Sequence, residues 1–356
     1  MSLAPERVLI VMPTWVGDCV MATPTLRALR HHWPDAHVTL LTRRTNKPLL
    51  RGLTFADRIV APRQIKKVLR LGRSLKAGRF DLAVLLPNSF KAALLAKVAG
   101  IANRVGYDRD GRGFLLTDKL LPPREGSQFK VVPTLNYYLE LARHLGAEAE
   151  DKSMSLAVTA KDQAEADRVI ERLNIDLDQR HILLNPGASY GAAKLWLPKY
   201  FAEVADVFAE RGYRVLMSTA PAERQIAEEI LDRSRRRPID LASAGMTLGA
   251  LKVFCRSTSL CITNDTGPRH IAVAMGTRVI TVFGPTDPRW TTLNYDRELE
   301  LQEDVFCGPC QKKICPLDHR CMIQLTPDKV IAAADALLED RAPALSLPVV
   351  ARAVAS

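Results

Sequence analysis

The chain has 356 residues, 47% of them hydrophobic and 25% charged, with a formal net charge of +11. These proportions exclude a disordered or fibrous chain, and no apolar run approaches the roughly 20 residues needed to span a bilayer. The length suits about two domains on a prior of roughly 100–200 residues each, and the positive balance favours an anionic partner such as a phosphorylated substrate or an acidic lipid face.

The first residues enter a strand-like run without the cationic lead, apolar core and cleavage site of a secretory signal, so a cytoplasmic chain is expected. Residues 8–11 read as a first strand and 20–32 as a helix, joined by Pro13-Thr14-Trp15-Val16-Gly17-Asp18. Gly17 permits a tight turn, and Asp18 falls at or near a helix start. There it is either a cap for backbone N–H groups or a carboxylate placed to take a proton as general base.

Residues 38–41 read as the second strand. Arg63, Lys66, Lys67, Arg70, Arg73, Lys76 and Arg79 follow with no acidic residue between Asp57 and Asp81. Lys66, Arg70 and Arg73 share one helical face, which is either a solvated surface or one that approaches anionic lipid. No interleaved aromatic pattern of the kind that stacks bases accompanies them, so no nucleic-acid partner is expected. Residues 82–86 form a further strand and lead into Asn88, Ser89 and Lys91. These offer donors at a strand's carboxyl end, suited to a sugar or phosphate, or simply cap a turn with Lys91 exposed.

Residues 150–180 are charged and suit a linker with helix, after which the plan repeats. Residues 182–184 read as a strand, 198–210 as a helix opened by proline, and 214–217 as the next strand. Between the first two of these lies Asn185-Pro186-Gly187-Ala188-Ser189, where Gly187 lets the backbone approach a ligand. Lys194 then either sits on the surface or sets a point charge against a diphosphate. Glu223 and Met246 follow later strand ends. Asn264-Asp265-Thr266-Gly267 closes a buried run before another helix start, the layout of an anion site, and His270 lies one helical turn on.

Alternating strands and helices argue for parallel sheets with crossover helices. No G-x-G-x-x-G follows the first strand, so there is no dinucleotide fingerprint. Cys307, Cys310, Cys315 and Cys321 form C-x2-C-x4-C-x5-C beside His319. That set could hold a structural zinc, but its spacing is not that of a standard finger and reduced packing cysteines are the other reading. Thr326-Pro327-Asp328 opens a last helix.

Pro13-x-Trp15-x-Gly17-Asp18-x-x-Met21, the run from Leu86 to Lys91, Pro186-Gly187-Ala188 with Lys194-x-Trp196, and Asp265-Thr266-Gly267-x-x-His270 resemble motifs of the ADP-heptose glycosyltransferases of lipopolysaccharide synthesis, in particular their second-transferase branch. Leu197, between Trp196 and Pro198, departs slightly from that pattern. The resemblance implies an α/β chain of GT-B type, two Rossmann-like domains with parallel sheets facing a central cleft. The expected division is 1–165 for the acceptor, 166–335 for the ADP-heptose donor, and 336–356 as a tail.

It also implies an inverting transfer of heptose from ADP-heptose to the first heptose of the lipopolysaccharide inner core, at the cytoplasmic face of the inner membrane. Asp18 would be the base and Lys194 the stabiliser of the departing ADP. Gly187, Ser189, Glu223 (ribose), Met246 (near adenine), Asp265, Thr266, Gly267 and His270, as a hydrogen-bond donor beside the diphosphate, would complete the donor site. Trp15, Gly17, Asn88, Ser89 and Lys91 would serve the acceptor. No Asp-x-Asp pair accompanies the donor motifs, so neither a catalytic metal nor another cofactor is expected. Transfer directly to Kdo, a nucleotide-sugar epimerase and a non-catalytic nucleotide-sugar-binding module are the alternatives.

Overall fold

The computed structural model describes residues 4–63 and 67–339. Lys66 and the expected tail beyond 339 lie outside the described residues. The chain divides into two compact units, one of residues 1–157 with 289–293, the other of 158–288 with 294 onward.

In the first unit, β1 (Arg7–Val11), β2 (His37–Leu41), β3 (Arg58–Val60), β4 (Leu82–Leu85), β5 (Asn103–Tyr107) and β6 (Asp118–Leu120) form one sheet in the order β3-β2-β1-β4-β5-β6. Every pairing is parallel. Parallel strands must bury both faces, and the central ones do: Val8, Leu9, Ile10 and the whole of Leu82–Leu85 are fully buried. A small antiparallel ribbon, β7 (Arg124–Glu125) with β8 (Gln128–Phe129), follows.

The second unit repeats the plan with β9 (His181–Asn185), β10 (Arg214–Met217), β11 (Ile239–Asp240), β12 (Leu260–Asn264), β13 (Arg278–Phe283) and β14 (Glu298–Gln302), again parallel and in the order β11-β10-β9-β12-β13-β14. Its core gathers around Trp196, Phe201, Phe208, Ile262 and Val282. Both sheets therefore have the strand order of a Rossmann domain, as expected, and each reverses direction between its first and fourth strands.

The single helix expected over 20–32 is two, Val16–Met21 and Thr23–His32, broken at Ala22 ahead of Pro24. Proline has no N–H to continue the first helix but suits the opening turn of the next. The helices Pro198–Glu210 and Pro327–Leu338 likewise open on prolines. The helix Ala160–Leu173 belongs wholly to the second unit, although a boundary at 165 would divide it. It opens with a reciprocal Thr159–Asp162 capping box, and Asp162 also receives the buried Lys252 ammonium at 2.9 Å from the helix Leu248–Ser257. Among the described residues no helix is long and apolar enough to cross a membrane.

Candidate active site

In open α/β sheets the crevice for a ligand lies beyond the carboxyl ends of the strands where their order reverses. In the first unit that point lies between β1 and β4. The turn after β1 carries Trp15, Gly17 and Asp18, and the turn after β4 carries Asn88, Ser89 and Lys91. Asp18 sits in the first turn of Val16–Met21, half-buried.

Asp18 and Asn88 line one pocket of about 300 Å³ with Arg109, Lys130, Tyr137 and Trp290. Tyr137 donates to Asn88 Oδ1 at 3.3 Å and stacks on Tyr107, with ring centres 3.7 Å apart. Thr134 donates to the Trp290 carbonyl at 3.0 Å, which ties the 289–293 segment to this unit. Arg109 lies over the Phe129 ring at 4.0 Å, a cation–π contact that holds the guanidinium at the pocket. Two cations and a carboxylate in one recess suit an anionic ligand with a group that can give up a proton.

The other residues expected at this site are placed differently. Ser89 caps the helix Phe90–Val98 by accepting from Ala92 N at 3.2 Å, and Lys91 is exposed on that helix. Trp15 is exposed and Gly17 buried, and neither they nor Ser89 and Lys91 line the pocket. The turn is held by a residue no motif singled out. Arg112 is fully buried, donates through Nε to the Tyr107 carbonyl at 3.0 Å, and caps the carbonyls of Pro87 and Ser89. Its partners are backbone carbonyls, so no sequence pattern announces it.

In the second unit the order reverses between β9 and β12, which are paired through Thr263 and Asn185. Asn264 stitches the two turns together. Its Nδ2 donates to the Pro186 carbonyl at 2.7 Å, and its Oδ1 accepts from Trp196 N at 3.2 Å.

Lys194 is no surface residue. It is 8% exposed, and its Nζ donates to the Asp265 carboxylate and, at 3.0 Å, to the Asp265 carbonyl. Thr286 donates to the same carboxylate at 3.1 Å. Burial pushes the Asp265 carboxyl up, but Lys194 and Arg269 outweigh it and hold it below the usual range. Thr266 is the N-cap residue of the helix Gly267–Ala274 and makes no side-chain cap bond.

His270 is buried, and burial, reinforced by Arg269, lowers its imidazole to about 4. Its Nδ1 lies 3.1 Å from the Thr266 carbonyl. A carbonyl only accepts, so Nδ1 carries the proton and the neutral ring presents Nε2 as an acceptor. That nitrogen is buried with no hydrogen-bond partner among the described residues. A sugar hydroxyl suits it better than the phosphate oxygen to which it was expected to donate.

Glu223 holds its carboxylate by accepting from Ala220 N at 2.8 Å. A Cβ at Gly187 would collide with that carboxylate in its present position, so the glycine lets Glu223 approach this closely, and no backbone twist demands it. Ser189 is exposed, and Met246 is half-buried.

Next to Lys194, Cys307, Cys310, Cys315 and Cys321 line a second, small pocket with Ala193 and His319, and His319 contacts the Ala193 carbonyl at 2.9 Å. All four are free thiols, and burial pushes Cys321 up to about 11. Among the described residues no group of three or more His, Cys, Asp or Glu is arranged to hold a metal ion.

The sequence profile "Glycosyltransferase family 9 (heptosyltransferase)" matches residues 68–320. The chain is 27% identical to the lipooligosaccharide heptosyltransferase 2 of Campylobacter jejuni serotype O:6, over 91% of this chain and 97% of that one. It is 26% identical to the lipopolysaccharide heptosyltransferase 2 of Escherichia coli K12, over 93% and 98%. The solved E. coli ADP-heptose lps heptosyltransferase II superposes with a TM-score of 0.78 at 25% identity, covering 94% of this chain and 99% of that one. The two Rossmann-like units are accordingly those of a GT-B enzyme, and the chain belongs to glycosyltransferase family 9, the heptosyltransferases.

Proposed function

We propose that the protein transfers L-glycero-D-manno-heptose, with inversion, from ADP-heptose to the first heptose of a lipopolysaccharide inner core. The observation that carries this reading is the convergence, at the strand-order reversal of the second unit, of Lys194, Asp265, the open start of the helix Gly267–Ala274 and the acceptor nitrogen of His270. A helix start and a lysine suit a diphosphate, and His270 suits a hydroxyl of the attached sugar. The names of the relatives, heptosyltransferases 2, agree with that choice of reaction.

Asp18 takes the proton of the acceptor hydroxyl. The oxygen attacks the anomeric carbon from the face opposite ADP, the bond from that carbon to the phosphate oxygen breaks, and Lys194 stabilises the charge that collects on the leaving diphosphate. Glu223 suits the ribose hydroxyls, with Gly187 and Ser189 beside it and Met246 near the base. Arg109 and Lys130 suit the acidic groups of the acceptor. The exposed cations Arg63, Lys67, Arg70, Arg73, Lys76 and Arg79 suit the acidic lipid face in which that acceptor is anchored.

ADP release from ADP-heptose, measured for wild type and Asp18→Asn with and without a heptose-bearing truncated lipopolysaccharide, tests the reading. Acceptor-dependent release that falls at least about 100-fold in the variant, with ADP affinity retained, is expected. Release without acceptor, or an equally active variant, would overturn it.

A further inference from the structure

Beneath the Asp265 turn lies a buried charge cluster that none of the donor motifs requires. Arg269, one turn along the helix from Asp265, is 0% exposed. Its Nε donates to Glu298 Oε1 at 2.6 Å, and its Nη2 donates to Glu298 Oε2 at 3.1 Å and to Glu300. Both glutamates stand on β14, and Thr281 of β13 donates to Glu298 Oε1 at 2.6 Å. Two carboxylates thus grip one edge of the guanidinium and fix its plane. The remaining arm, Nη1, points at Asp265 Oδ1 at 3.4 Å. Asp265 is therefore held between two cations, Lys194 on the donor side and Arg269 from below.

That arrangement answers a difficulty in the proposed reaction, on which this inference rests. Lys194 spends two of its three ammonium donors on Asp265, so the more of them it turns to a diphosphate, the weaker its hold on that carboxylate becomes. If its ammonium moves to the phosphates, a buried carboxylate loses its principal counter-ion, and an uncompensated buried charge is strongly unfavourable. Arg269 stays in place, because Glu298 and Glu300 hold it independently of the donor.

We infer that Arg269, clamped by Glu298 and Glu300, is a positioning residue that keeps Asp265 ionised and in place while Lys194 passes from Asp265 to the donor's diphosphate. It touches no substrate itself. Its effect on the reaction runs through the freedom it gives Lys194.

The test is ADP binding to the full chain by calorimetry in a double-mutant cycle. Arg269→Met alone would strand two buried carboxylates, so it is made together with Glu298→Gln and Glu300→Gln. With circular dichroism unchanged, this triple variant is expected to bind ADP at least tenfold more weakly than wild type. In an Asp265→Asn background the same three changes are expected to alter ADP affinity less than twofold, because no carboxylate then needs a second cation. Unchanged affinity in the triple variant, or an equal loss in both backgrounds, would overturn the inference.

If the triple variant does not fold, the cycle is run with Arg269→Lys, whose single ammonium cannot serve the glutamates and Asp265 together. A smaller loss that again vanishes with Asp265→Asn supports the inference, and a loss independent of Asp265 overturns it. Undiminished ADP binding in Lys194→Ala would instead mark the failure of the donor-site reading itself.

Discussion

Lys194 donates to both the carboxylate and the main-chain carbonyl of Asp265, so two residues 71 positions apart form one buried unit at the end of β9 and β12. The pair is structural as well as chemical. Removing one member of a buried ion pair costs about 3–5 kcal/mol because the other charge is left bare. Asp265→Asn strands Lys194 beside Arg269, two cations without the carboxylate between them, and is expected to cost about 3 kcal/mol. In a Lys194→Met background the same change should cost clearly less. Urea denaturation of the four proteins measures the coupling, and strictly additive losses would refute it.

His270 makes stability depend on pH in a definite direction. Its folded value of about 4 lies below the ordinary 6.5, so as pH falls the unfolded chain takes up the proton first. The neutral-histidine contribution is fully present above pH 6.5 and lost between 6.5 and about 4. Its ceiling is about 3 kcal/mol at 1.36 kcal/mol per unit. Thermal denaturation of wild type and His270→Gln from pH 7.5 to 4.5 should show wild type losing more stability, and parallel curves would refute the assignment.

Gly187→Ala should displace the Glu223 carboxylate and break its bond with Ala220 N, costing about 1 kcal/mol. The side chain of Glu223 is flexible enough to move aside, so the backbone need not. In a Glu223→Ala background the glycine substitution should be almost neutral, because its obstacle has gone. Melting temperatures of the single and double variants decide the matter, and a persistent large penalty would show that the backbone itself demands glycine.

Trp196 is the largest fully buried side chain of the second unit, and its Nε1 donates to the Leu325 carbonyl at 2.7 Å. Trp196→Phe removes that donor and leaves a void, at an expected cost of about 2–3 kcal/mol. Trp196→Phe keeps the main-chain N–H that donates to Asn264 Oδ1, so ADP affinity should fall only as far as the backbone shifts when the void relaxes. A destabilised variant that binds ADP as wild type does would separate the core from the site.

Arg109→Ala and Lys130→Ala are expected to raise the acceptor KM roughly tenfold each, about 1.4 kcal/mol, and to leave ADP affinity unchanged. The loss should shrink at high salt, where wild type itself binds the acceptor less well. Steady-state kinetics at two ionic strengths read this directly, and an effect on ADP instead would remove Arg109 and Lys130 from the acceptor's side.

Much of this protein was legible because its signals are local. A buried parallel strand needs a continuous apolar run, so β1, β9 and β10 stand out within a residue or so of their ends. A proline-opened helix such as Pro198–Glu210 marks its own start. The motif residues are small or charged groups at strand ends, and backbone chemistry alone makes those positions candidate anion sites. What depends on contacts between distant residues was not legible. Ser89, Lys91 and Asp18 share one motif-bearing sheet edge, yet only a folded sheet shows that Asp18 lines a pocket while Ser89 caps a helix and Lys91 faces solvent. Lys194 reads either as a surface lysine or as a phosphate ligand, and its buried pairing with Asp265 shows only once β9 and β12 become neighbours. Arg269, Glu298 and Glu300 look like ordinary surface charges until β14 joins the sheet edge and shuts out water. The sequence by itself determined the elements, their alternation and the turns that carry chemistry, because propensity and periodicity act over a few residues. The tertiary structure alone decided which charges are buried and which partner each has, because burial and pairing arise only when segments far apart in the chain are packed together.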